Sequence, residues 1–107
     1  GLNWISGNVS KITFEKHNLP LPHLGWNKIS ITKKSHLFEG INHNSYFYFL
    51  HSFVFKPKIP QYEIATFEYG LNHVCAINRE NIYGVQFHPE KSHELGEKVL
   101  INFSNLK

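Results

Sequence analysis

The sequence predicts a strand-rich fold with a single C-terminal helix, and three observations carry that expectation. Six segments show the alternation, or the β-branched and aromatic enrichment, of strands. One segment only, about residues 92–105, repeats its apolar residues at spacings of three and four. No strand–helix–strand alternation is visible, and one terminal helix cannot cover both faces of a sheet. A sheet that continued into a preceding half would remove that difficulty.

The elements follow in chain order. Residues 9–14 are β-prone and come after the turn signal Ser6-Gly7-Asn8. Leu19-Pro20-Leu21-Pro22-His23 is a proline-stiffened loop. Residues 26–32 alternate apolar and polar side chains, as a half-buried strand does. Residues 35–40 suit a short helical turn ended by Gly40. Residues 45–55 hold Tyr46, Phe47, Tyr48, Phe49, Leu50 and Phe53 and read as one strand buried on both faces. Residues 62–69, 73–78 and 81–88 are three further strands. The breaks at Gly70-Leu71-Asn72 and Arg79-Glu80 suit tight hairpins. In the final helix Ser92 is placed to accept from first-turn N–H groups, Glu94 favours the positive end of the dipole, and Lys107 lies at the other end. Leu95, Val99, Leu100, Phe103 and Leu106 form its apolar stripe.

Composition narrows the function classes. The chain has 107 residues, enough for one small domain, and 41% apolar content argues for a packed core. It begins at Gly1 and contains no methionine, which points to a processed chain or a piece of a longer protein. A lone cysteine, Cys75, allows neither a disulfide framework nor a multi-cysteine zinc site, and suits a reducing, cytoplasmic compartment. No apolar run approaches the ~20 residues of a bilayer span, and no signal peptide is visible, so no membrane role is expected. The net charge is +3, but the lysines are scattered, with Lys33-Lys34 the one adjacent pair. That favours a solvated surface over a nucleic-acid track. The seven glycines stand singly, so there is no Gly-rich phosphate loop.

The chemistry concentrates at Gly84-Val85-Gln86-Phe87-His88-Pro89-Glu90-Lys91-Ser92. A strand ends at His88, Pro89 stops the pairing, and a helix begins at Ser92. Strand ends that feed helices are frequent places for active-site groups in open α/β sheets. Glu90 follows His88 by two residues, so a carboxylate can orient an imidazole base. Two other readings compete: His88 as a polar strand end with Glu90 solvated, and His88, Glu90 and His93 as metal ligands. The ligand spacing matches no helical metal motif. Cys75 sits mid-strand in His73-Val74-Cys75-Ala76-Ile77 without the sharp small-residue turn of a nucleophile elbow. It reads as a packing residue.

Residues 84–92 resemble the closing motif of class I (triad) glutamine amidotransferase domains. Leu21-Pro22-His23-Leu24-Gly25-Trp26-Asn27 and Tyr46-Phe47-Tyr48-Phe49-Leu50-His51-Ser52-Phe53 are similar, in this order, to signatures of the glutaminase subunits of imidazole glycerol phosphate synthases. The resemblance implies an α/β fold: the C-terminal half of a flavodoxin-like three-layer domain, with an antiparallel extension of the sheet and the last helix packed on it. Residues 1–107 would then be a partial amidotransferase domain. The nucleophile would sit in a Gly-x-Cys-x-Gly elbow of an N-terminal half that this sequence lacks.

It further implies His88 as catalytic base and Glu90 as its orienting acid. His51, Ser52 and Phe53 would lie where backbone meets the glutamine α-carboxylate and amine. Trp26, Tyr48 and Lys91 would face a (β/α)₈ cyclase subunit that receives ammonia and makes imidazole glycerol phosphate and AICAR in histidine biosynthesis. No metal and no organic cofactor is implied. Beside this stand plainer readings: Tyr46 and Phe47 as core, Trp26 as a packed anchor, and Lys91 as solvated. His17, His23, His36, His43, His73 and His93 receive no role. A paralogue aminating surface sugars and a non-catalytic binding module are the alternative functions.

Overall fold

Among the described residues, seven strands and one helix form where β-branched and aromatic residues alternate and where the last apolar stripe begins. The computed structural model describes residues 7–12, 23–80 and 82–106. The end of the first predicted strand, the proline-stiffened loop before His23, His17 and Lys107 lie outside the described residues. The strands are β1 (Gly7–Lys11), β2 (His23–Ile31), β3 (Tyr46–His51), β4 (Phe53–Pro57), β5 (Glu63–Tyr69), β6 (Leu71–Arg79) and β7 (Ile82–Val85). The helix α1 runs His93–Ser104. Single 3₁₀ turns occupy His36–Phe38, Pro60–Tyr62 and Pro89–Lys91.

Five strands make an antiparallel sheet in the order β3-β2-β5-β6-β7, and β1 pairs with β4 in a separate antiparallel ribbon. The β5–β6 and β6–β7 hairpins turn where the sequence places its breaks, with Gly70 at φ 80° and Glu80 at φ 53°. Ser35 caps the first 3₁₀ turn, its Oγ accepting from Leu37 N–H at 3.2 Å.

Two expectations are corrected. Residues 45–55 are two strands that break at Ser52 and join different sheets. The first of them is buried on one face only. Phe47, Phe49 and His51 point inward, while Tyr46 is 55% and Leu50 40% exposed, so Tyr46 is not a core residue. The helix stripe is also rotated. Gly96 and Val99 are buried and Leu95 and Leu106 pack at the core margin, but Leu100 and Phe103 face outward. The cause is the close seat of α1 on the Pro89–Lys91 turn. Asn102 fixes the far end by donating both amide hydrogens to the carbonyls of Leu37 and Glu39, each at 2.9 Å.

The core lies between the inner faces of β2, β3, β5 and β6 and the segment after β7. Phe47, Phe49, Phe67, Ile29, Leu37 and Ile64 are its largest fully buried side chains. Phe87 inserts beside Phe47, ring centroids 4.3 Å apart, and so anchors the stretch that carries His88.

Candidate active site

The stretch after β7 is held to the sheet on both sides of His88. Gln86 N–H donates to Cys75 O at 2.7 Å, and His88 N–H donates to Tyr48 O at 2.8 Å. Pro89 opens the 3₁₀ turn with the fixed φ that suits a first helical position. Ser92 then behaves differently from a helix cap. Its buried Oγ donates to His88 O at 2.6 Å and accepts from Tyr48 N–H at 2.9 Å, and makes no bond to the first turn of α1. The hydroxyl thus serves β3 and His88 in place of the helix: it gives Tyr48 N–H an acceptor, and it is a second donor to His88 O, which also accepts from Lys91 N–H at 3.1 Å.

Within this frame His88 Nδ1 lies 2.7 Å from Glu90 Oε1. Its own backbone N–H and the His88 ring hold the Glu90 carboxyl below the usual carboxylate range, so it is ionised at neutral pH. A carboxylate can only accept, which places the proton on Nδ1. The lone pair of Nε2 is left on the opposite side of the ring, ready to take a proton. The His88 side chain is 35% exposed, so the pair is open to solvent and to a reactant. His93 does not complete a metal site with them: its ring stacks on Trp26 at 5.3 Å. Among the described residues no group of three or more His, Cys, Asp or Glu is placed to hold a metal ion.

Trp26, Tyr48 and Lys91 are brought together by register and by the 3₁₀ turn. Trp26 pairs with Tyr48 across β2 and β3, their rings edge to face at 5.8 Å, and Lys91 Nζ sits 5.9 Å above the Tyr48 ring. Trp26 is 46% exposed, so it is a surface group and not a packed anchor. Gly25 beside it adopts φ +120°, a region that L side chains rarely enter. Cys75 is buried in the core, and burial pushes its thiol far up, as for a packing residue.

His51 lies at the end of β3, with its side chain turned inward; Ser52 is half-buried and Phe53, opening β4, is exposed. Sequence reasoning missed what His51 contacts. His23 Nδ1 is 3.0 Å from His51 Nε2, and His51 Nδ1 is 3.0 Å from Phe53 O. His23 packs among Phe49, Phe67 and Tyr69, with centroids 4.9, 5.3 and 4.1 Å away. Burial, then the neighbouring His51 and His73, lowers the His23 pKa to about 4; burial also lowers those of His51 and His73. The signal that would have found the pair is cross-strand register, since His23 and His51 are direct partners on β2 and β3.

A pH dependence follows. Between an unfolded value of 6.5 and about 4, the unfolded chain binds a proton at His23 that the folded chain does not. Stability is therefore complete above pH 6.5 and falls as the pH drops toward 4. For His23 alone the loss reaches about 3 kcal/mol at 1.36 kcal/mol per unit, as an upper limit. Urea denaturation of the complete protein at pH 7 and pH 4.5 checks this. Equal stabilities, with His23→Phe equally indifferent to pH, would contradict it.

The glutamine amidotransferase class-I family matches residues 6–106. The chain belongs to this family. Subunits HisH of imidazole glycerol phosphate synthase are similar to it. That of Pelagibacter ubique is 52% identical over 106 residues, covering 99% of this chain and 51% of the relative. That of Bdellovibrio bacteriovorus is 45% identical, covering 99% and 53%, and that of Methanocaldococcus jannaschii 45%, covering 99% and 52%. The chain thus spans about half the length of the curated relatives it matches. A crystal structure from Thermoplasma acidophilum, described as one of the subunits of a GMP synthase, superposes with TM-score 0.68. It covers 91% of this chain and 46% of that one at 24% identity, which shows a common fold. The class I amidotransferase fold therefore accommodates the antiparallel strands and the single helix described above, as the α/β expectation required.

Proposed function

We propose that this chain is the C-terminal part of the glutaminase subunit of an imidazole glycerol phosphate synthase, with His88 as catalytic base and Glu90 as its orienting acid. The observation that carries the reading is the 2.7 Å Nδ1–Oε1 contact, which leaves Nε2 as the proton acceptor. Its setting in a class-I amidotransferase chain similar to HisH subunits supports the substrate assignment.

The chemistry runs as follows. A cysteine thiol from another part of the protein gives its proton to His88 Nε2, and the thiolate sulfur attacks the carbon of the glutamine side-chain amide. A tetrahedral oxyanion forms. His88 returns the proton to the departing nitrogen, the C–N bond breaks, and ammonia leaves a thioester. Water, losing a proton to the same Nε2, cleaves the thioester to glutamate and regenerates the thiol. Glu90 stabilises the imidazolium in both halves. The backbone of His51, Ser52 and Phe53 receives the α-carboxylate and amine of glutamine. The exposed group of Trp26, Tyr48 and Lys91 meets a (β/α)₈ cyclase subunit, into which ammonia passes to form imidazole glycerol phosphate and AICAR. The assembly is a cytoplasmic heterodimer.

The test is glutamate release from glutamine. The complete subunit with its cyclase should hydrolyse glutamine, and residues 1–107 alone should not. Turnover by the 107 residues alone would overturn the assignment of the nucleophile to another part of the protein. No turnover by the complete pair would overturn the function.

A further inference from the structure

The buried bonds through His23 and His51 stand apart from the His88–Glu90 pair, and their proton positions can be worked out one at a time. The Asn27 amide is oriented by two backbone partners: Oδ1 accepts from Lys28 N–H at 2.8 Å, and Nδ2 donates to Glu68 O at 2.7 Å. Nδ2 also faces His23 Nε2 at 3.4 Å, so Nε2 presents its lone pair. The His23 proton is then on Nδ1, which donates to His51 Nε2 at 3.0 Å. His51 accordingly carries its own proton on Nδ1 and donates it to Phe53 O at 3.0 Å. Both ends agree, since an amide NH₂ only donates and a carbonyl only accepts. A neutral ring in the Nδ1–H tautomer at both histidines satisfies every bond, and a second proton on either ring would set two donors against each other.

This chain of bonds begins on β5 and β2 and ends where β3 passes into β4, between two different sheets. The backbone of the junction is paired on both strands, His51 opposite His23 and Phe53 opposite Lys11, and Ile12 N–H donates to Ser52 O at 2.9 Å. Within that frame the His51 ring, held by His23, ties the end of β3 to Phe53 O from the inner side of the turn. Burial keeps both rings uncharged at neutral pH.

We propose that His23 is a positioning residue for glutamine: by donating from Nδ1 to His51 it fixes the turn of His51, Ser52 and Phe53 that receives the α-carboxylate and amine. The proposal rests on the reading of that turn as a glutamine site. It therefore acts on binding and leaves the His88 chemistry alone.

The complete subunit with its cyclase supplies the test. His23→Phe keeps the ring packed among Phe49, Phe67 and Tyr69 but removes the donor. The KM for glutamine should rise about tenfold, the effect of one lost hydrogen bond, with kcat within about twofold. His23→Asn offers an amide N–H near the position of Nδ1 and should recover most of the KM. Equal KM values for wild type and a folded His23→Phe, a fall in kcat alone, or no recovery by His23→Asn would each overturn the proposal. Nitrogen-15 NMR of the wild-type protein should show His23 and His51 as neutral Nδ1–H tautomers; an Nε2–H ring at either position would overturn the hydrogen-bond chain whatever the kinetics. Failure of the wild-type pair to hydrolyse glutamine would remove the substrate reading, and the proposal with it, while the tautomer signals would still report whether the chain exists.

Discussion

His88→Ala in the complete subunit should lower glutamine turnover by about a thousandfold or more while leaving the fold in place. General-base catalysis contributes roughly 10²–10⁴-fold, and groups that act as a unit with a nucleophile lose more when the base is removed. The fold should survive because the structural duties of this residue belong to its backbone: His88 N–H bonds Tyr48 O, and His88 O accepts from Ser92 Oγ. Phe87, not His88, is the packed anchor of the stretch. Glu90→Gln should cost less, about ten- to a hundredfold. Its side chain is 58% exposed, and water screens part of its effect on the imidazolium. Steady-state kinetics with a thermal melt on each variant reads both effects. A His88→Ala protein that keeps a tenth of the wild-type rate would contradict the base assignment. A Glu90→Gln loss as large as that of His88→Ala would show that orientation, and not only charge, depends on this one carboxylate.

The His88–Glu90 contact was legible in the sequence because it is local. His88 and Glu90 are two residues apart across a proline, so the chain itself brings them together. The burial of Cys75 was legible for a similar reason, since a mid-strand cysteine between apolar neighbours packs into the core. The aromatic stretch was not legible as two strands. Tyr46, Tyr48 and Leu50 on the outer face are themselves apolar or amphipathic, which hides the period of two that Phe47, Phe49 and His51 follow on the inner face. The rotated helix was hidden too. Glycine carries no hydrophobic signal, yet Gly96 is the residue that lets α1 sit close enough to bury Val99 in place of Leu100. The His23–His51 contact joins residues 28 apart and exists only in the register of β2 on β3. The same holds for Ser92, whose position suggested a helix cap and whose partners are instead on β3 and at His88.

Gly96→Ala should destabilise the protein severely, although alanine is the better helix former by about 1 kcal/mol. A Cβ on residue 96 would lie 1.9 Å from Pro89 O, 2.8 Å from Pro89 C and 2.8 Å from Ser92 Cβ. Two of these three atoms are backbone, and the third belongs to a buried serine whose hydroxyl already holds two bonds. None can give way by changing a rotamer, so the Pro89–Lys91 turn and the start of α1 must part. Overpacking of this kind costs about 3 kcal/mol or more, well beyond the helix-propensity gain. In a protein the length of the relatives, of which this chain covers about half, that corresponds to a fall in Tm of about 10 °C. The same displacement would carry His88 and Glu90 off their frame on β3, so turnover should fall even at temperatures where the variant stays folded. Gly96→Ala with an unchanged or raised Tm would mean that α1 does not approach the turn this closely. A lowered Tm with full turnover would separate the helix seat from the geometry of His88.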